Sequence, residues 1–140
     1  MEEKQIQQMI CEAFRARQQS YCPYSGFAVG AALLTKDNRI YTGCNIENAA
    51  DGPSNCAERT AIFKAVSEGV TGFKAIAIVG GKKDLQEGQV EFCSPCGVCR
   101  QVMLEFCQKD FKIILAKDRD LYKIYTLDQL TPVSFGADVL

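Results

Sequence analysis

Cys96-Gly97-Val98-Cys99 sets two thiols one helical turn apart, a spacing that lets both side chains reach one metal ion. By itself the pattern fits a zinc site, a redox pair or two buried cysteines. Cys56 adds a third thiol at the expected start of another helix, where unpaired N–H groups and the positive end of the dipole favour a thiolate. Three protein ligands leave one position of tetrahedral zinc to water, which separates a catalytic site from a closed structural one. Glu58, two residues after Cys56, is a carboxylate beside such an ion without being its ligand, placed to move protons to and from the bound water; its competing role is to cap its own helix. Three thiolates leave zinc with net negative charge, and Arg59 is placed to hydrogen-bond a ligand sulfur and offset it, unless it is an ordinary surface arginine.

The composition limits the alternatives. Eight cysteines and no histidine in 140 residues mean that a metal site here is built from thiolates and carboxylates. Cys11, Cys22, Cys44, Cys93 and Cys107 lack the helix-start arrangement and read as buried or incidental thiols. A formal charge of −1 and a pI near 5.5 argue against polymeric nucleic acid as a partner. No apolar run of about eighteen residues is present, so membrane insertion is not expected. The polar, acidic N-terminus reads as no leader, and a cytoplasmic location follows by default. The length suits one domain spanning residues 1–140.

The elements that must position these residues follow from hydrophobic period. Ile6, Met9, Ile10, Ala13 and Phe14 predict an amphipathic helix over roughly 3–18. The β-rich runs 27–35 and 39–47, separated by Lys36-Asp37-Asn38, read as a hairpin. Asn55 with Glu58 resembles a capping box opening a helix that starts at Cys56 and ends near Gly69. Residues 74–80 predict a central strand, 97–108 a third helix, 111–116 a solid apolar strand and 122–126 an edge strand, with one helical turn at most in the tail. Helices alternating with strands imply an α/β fold, a three-layer α/β/α sandwich around a five-stranded mixed sheet.

Cys56-Ala57-Glu58 and Pro95-Cys96-Gly97-Val98-Cys99 together resemble the C-x-E and P-C-x-x-C signature of zinc nucleoside deaminases, in the three-cysteine form. The likeness extends over 24–33, 43–48, 56–62 and 94–102, and points to the cytidine deaminases, in particular their short homotetrameric type with one zinc per subunit. It implies hydrolytic deamination of cytidine and 2'-deoxycytidine to uridine and 2'-deoxyuridine plus ammonia, a pyrimidine salvage reaction in which zinc-activated hydroxide attacks C4 and Glu58 shuttles the proton. The same resemblance assigns Cys56, Cys96 and Cys99 to zinc, Asn45 and Glu47 to the ribose 3'-hydroxyl, Phe27 and the Ala57 backbone to the substrate, and Phe135 to a neighbouring subunit's pocket. Asp51 departs from a loop where many relatives carry an aromatic, and Val98 stands where alanine is usual. Two other readings remain: a deaminase acting on another small aminated base or nucleoside, and a non-catalytic protein with structural zinc, which would need a fourth protein ligand.

Overall fold

A computed structural model describes all 140 residues. α1 (Glu3–Arg17) leads to the hairpin β1 (Phe27–Thr35) and β2 (Ile40–Cys44), followed by α2 (Ala57–Ser67), β3 (Phe73–Lys82), α3 (Gly97–Phe106), β4 (Lys112–Ala116), β5 (Tyr122–Thr126) and the single turn α4 (Leu127–Leu130). The sheet order is β2-β1-β3-β4-β5, with β3 and β4 parallel and every other neighbouring pair antiparallel. The expected mixed five-stranded sheet with a central β3 is therefore present.

Alternation along the strands divides the core into two layers. Ala31, Leu33, Ile76, Ile78, Ile113 and Leu115 face α2 and α3, while Ala32, Leu34, Ala75, Ala77, Val79 and Ile114 face α1. β2 and β3 both run antiparallel to β1 and hence parallel to each other. The connections β2-α2-β3 and β3-α3-β4 thus join parallel strands and advance in the same direction across the sheet. The single handedness of such crossovers puts both helices on one face and both helix starts beyond the same ends of the strands. That topology brings Cys56 to Cys96 across forty residues of chain.

Two close approaches set the depth of the helices. A Cβ at Gly43 would stand 2.5 Å from both the Ala57 carbonyl oxygen and the Ala61 nitrogen, so the glycine lets α2 lie directly on β2. On the opposite face Gly30 admits the last turn of α1 in the same way. Arg17, at the end of α1, is buried and donates to four carbonyls: Ala28 at 2.8 Å, Leu85 at 2.8 Å, Gly81 at 2.9 Å and Lys82 at 2.7 Å. One guanidinium therefore ties α1 to the site-side ends of β1 and β3.

Some boundaries depart from the sequence expectation. β2 ends at Cys44 and not at 47, because the Asn45 side chain replaces the ladder: its Oδ1 accepts Val29 N–H at 2.9 Å and its Nδ2 donates to Phe27 O at 2.8 Å. The Asn55–Glu58 capping box does not form. Asn55 is locked into a backbone pair with Ile46 at 2.9 and 2.8 Å, Cys56 becomes the N-cap, and the helix begins at Ala57 with Glu58 in its buried face. α2 ends at Ser67, near Gly69 as expected; the φ of +86° at Gly69 belongs to a Schellman closure with Val70 N–H on Ala65 O at 3.0 Å and Gly69 N–H on Val66 O at 2.9 Å. The tail carries a second short turn, a 3-10 helix over Ala137–Val139, beyond the single turn anticipated.

Candidate active site

The starts of α2 and α3 meet at one end of the sheet. Cys56 and Cys96 are the N-cap residues of the two helices, and Cys99 lies one turn into α3. The three sulfurs lie within 4.8 Å of one another, with Cys56 and Cys96 at 3.7 Å. Cys96 Sγ also accepts the Cys99 N–H at 3.5 Å. Two helix dipoles therefore point their positive ends at the same three sulfurs.

The chemistry of this donor set fits a thiophilic divalent ion. The Cys56 thiol is lowered to about 5, first by the hydrogen bond from Cys99 and then by Arg59, whereas Cys99 is pushed upward by that same shared proton and by burial. Three sulfurs this close cannot all be thiolates unless a cation lies among them, and zinc supplies that charge. Arg59 Nη2 donates to Cys56 Sγ at 3.3 Å, while its buried Nε has no partner.

Glu58 is only 4% exposed. Burial, reinforced by the negative Cys56, pushes its carboxyl up to about 7, so near neutrality it can both hold and give a proton. It lines a cavity of about 450 Å³ together with Asn45, Glu47, Cys56, Ala57, Arg59 and Cys96. Eight of the ten expected site residues thus converge, Cys99 through the thiol cluster. Phe27, 41% exposed at the start of β1, and Phe135, 60% exposed in the tail, lie outside the cavity wall.

Asn45 and Glu47 are held by hydrogen bonds that leave a defined remainder. Glu47 Oε1 accepts Tyr24 N–H at 3.0 Å and Ser25 N–H at 3.1 Å, and Oε2 accepts the Ser25 hydroxyl. These bonds, Ser25's first, hold the carboxyl below its ordinary range. Asn45 Oδ1 accepts Val29 N–H and the Ser20 hydroxyl, while Nδ2 uses one hydrogen on Phe27 O. One N–H on Asn45 and one lone pair on Glu47 Oε2 stay free, a donor and an acceptor at the cavity wall.

The wall also contains Asp51, from the loop that departs from the family pattern, and Val29, Ser54, Asn55, Cys93 and Ser94, which were not expected as site residues. Cys93 had a legible signal, since it continues the three-residue spacing of Cys96 and Cys99. Its sulfur packs on Gly80 and stays outside the group of three thiols; burial first, and Glu58 next, push it up to about 11, which keeps it neutral. The donor set has three members, with no fourth thiol and no carboxylate, unlike a closed structural site.

Comparison with known proteins meets this geometry. Residues 3–115 match the family model described as the cytidine and deoxycytidylate deaminase zinc-binding region. The chain belongs to that family. This deaminase is similar to the cytidine deaminase of Sporosarcina psychrophila, 48% identical over 96% of the chain and 94% of the relative, and to that of Halalkalibacterium halodurans, 47% identical over 94% and 95%. Among solved structures, the cytidine deaminase of Burkholderia pseudomallei superposes with a TM-score of 0.81 at 40% identity, covering 91% of this chain and 97% of that one. The deaminase family is thereby a zinc-binding one, and Cys56, Cys96 and Cys99 form the cluster in this member suited to the ion.

Proposed function

We propose that this chain is a zinc-dependent cytidine deaminase, a single domain over residues 1–140 that hydrolyses cytidine and 2'-deoxycytidine to uridine and 2'-deoxyuridine with release of ammonia. The observation that carries the reading is the convergence of three thiols from two helix starts beside a buried, proton-holding Glu58. Cys56, Cys96 and Cys99 would hold one zinc, which when bound supplies the Lewis acidity that acidifies water at the position the thiols leave open.

The chain's own groups supply the rest. Glu58 takes one proton from the attacking water and gives it to N3 of the pyrimidine as the new C4–O bond forms, then takes the remaining proton of that added oxygen and passes it to the departing amine as the C4–N bond breaks and the C4 carbonyl forms. Ala57 lies at the first position of α2, where its N–H has no intrahelical partner and is available to the base. The free N–H of Asn45 and the free lone pair of Glu47 Oε2 match one hydroxyl that donates and accepts at once, as the 3'-hydroxyl of the sugar does. A free base leaves that pair unsatisfied and is expected to be a poor substrate. Arg59 offsets the charge of the sulfurs.

The active form in this reading is a homotetramer in the cytoplasm. Phe27, Phe63, Ile124 and Phe135 are large apolar side chains exposed on the single chain, which supports burial against further copies, and all eight cysteines are unpaired, as in a reducing compartment. In this arrangement Phe135 belongs to a neighbouring subunit's site.

The test is the loss of ultraviolet absorbance of cytidine and deoxycytidine on adding purified protein, before and after chelator treatment. Conversion that stops on chelation and returns with zinc is expected. No reaction with either nucleoside at full zinc content, or activity confined to the free base, overturns the reading. Light scattering at four times the chain mass is the expected companion result; a monomer that is fully active removes the shared site.

A further inference from the structure

Arg100 follows Cys99 on α3 and forms no ion pair with any carboxylate. Its donors go to two backbone carbonyls from different parts of the chain: Nε to Pro95 at 2.8 Å and Nη1 to Leu130 at 2.9 Å. Pro95 immediately precedes Cys96, and Leu130 closes α4, beyond which lies the segment 131–140. The next residue, Gln101, donates through Nε2 to Phe135 O at 2.8 Å, so consecutive side chains of α3 grip the same tail. A planar guanidinium suits two acceptors at a fixed separation, a geometry that a lysine ammonium on a flexible stem does not reproduce.

The start of α3 is held by these bonds together with the buried Pro95 and Cys99. Only Cys99 and Met103 of the helix are buried, and Cys96 is exposed. We propose that Arg100 is a positioning residue that couples the Cys96 loop to the C-terminal segment, so that metal retention and tail order depend on each other. The proposal rests on the reading of Cys96 as a metal ligand. Coupling of this kind is reciprocal: order gained at the loop when the ion binds must appear as order gained in the tail.

The experiment uses the full-length, zinc-loaded protein with two readouts: zinc transfer to a chromophoric chelator, and deuterium uptake by the peptide covering 127–140. Arg100→Gln is expected to release zinc about tenfold faster, in line with the loss of a group that orients a ligand, and to raise uptake in the tail. Arg100→Lys, which keeps the charge and can reach one carbonyl, should fall between the two, about threefold faster; it also serves if the Gln variant does not fold. In the wild type, stripping zinc should raise tail uptake, and in Arg100→Gln that response should be lost. Arg119→Gln, which breaks an exposed pair with Glu87, controls for the loss of an arginine elsewhere and should release zinc at the wild-type rate. Folded Arg100 variants that release zinc at the wild-type rate, or a wild-type tail indifferent to zinc, overturn the coupling. A wild-type protein that binds no zinc overturns the ligand assignment beneath it.

Discussion

The two helix starts that deliver the thiols are held by different means. α2 is held by packing: Ala57, Ala61, Ile62 and Ala65 are fully buried, and Gly43 lets the helix backbone touch β2. α3 is held at its start by a tether, with Cys96 exposed and the Arg100 guanidinium on the Pro95 carbonyl. A packed end resists displacement because any shift opens voids or forces overlap in an interior of crystalline density. A tethered end can exchange each hydrogen bond for one to water at small net cost. In the proposed reading the proton carrier Glu58 and the ligand Cys56 sit on the packed end, and the ligand Cys96 sits on the tethered one.

Variants separate the two ends. The largest effect is expected from Cys99→Ala on the tethered side, which should lose zinc and turnover together, since ligand loss and metal loss are one event; atomic absorption showing wild-type zinc content would remove Cys99 from the donor set. Next, Glu58→Ala on the packed side should keep a full complement of zinc while kcat falls by about 10²- to 10⁴-fold. Near wild-type turnover in that variant would leave the proton-transfer assignment without support.

Stability measurements refine the contrast at smaller scale. Arg17→Gln, on the opposite face of the sheet, removes donors from four carbonyls and should lower unfolding free energy by about 3 kcal/mol in urea titration, with zinc content unchanged in the folded fraction. A change in zinc stoichiometry there would mean that the faces are not independent. Gly43→Ala should cost about 1–3 kcal/mol by overpacking, because the new methyl meets backbone that can yield only if α2 moves. Since that movement carries both Glu58 and Cys56 with it, kcat and zinc affinity should fall together; a folded variant with both at wild-type values would show that this contact does not set the position of the packed end.

Much of this was legible along the chain. The apolar periods of 6–14, 74–80 and 111–116 mark α1, β3 and β4, because a helix or strand buried on one or two faces has to repeat its hydrophobic residues at its own spacing. The C-x-x-C pair and the Cys56-Ala57-Glu58 triplet are likewise local, so the chemistry they could do was stated by residue type and spacing alone. Cys93, three residues before Cys96, could have been placed near them by the same spacing.

What the tertiary structure decided involves partners distant in sequence. Nothing near Asn55 says that its backbone will pair with Ile46, yet that pairing excludes it as an N-cap and turns Glu58 inward. Nothing near Arg17 separates a buried clamp on four carbonyls from a solvated helix end, since all four acceptors lie eleven or more residues away. The sequence by itself determined which groups could bind a metal and move a proton. Only the fold decided that they would meet, because two crossovers of the same hand, in the same direction across one sheet, put both helix starts at the same end of the strands.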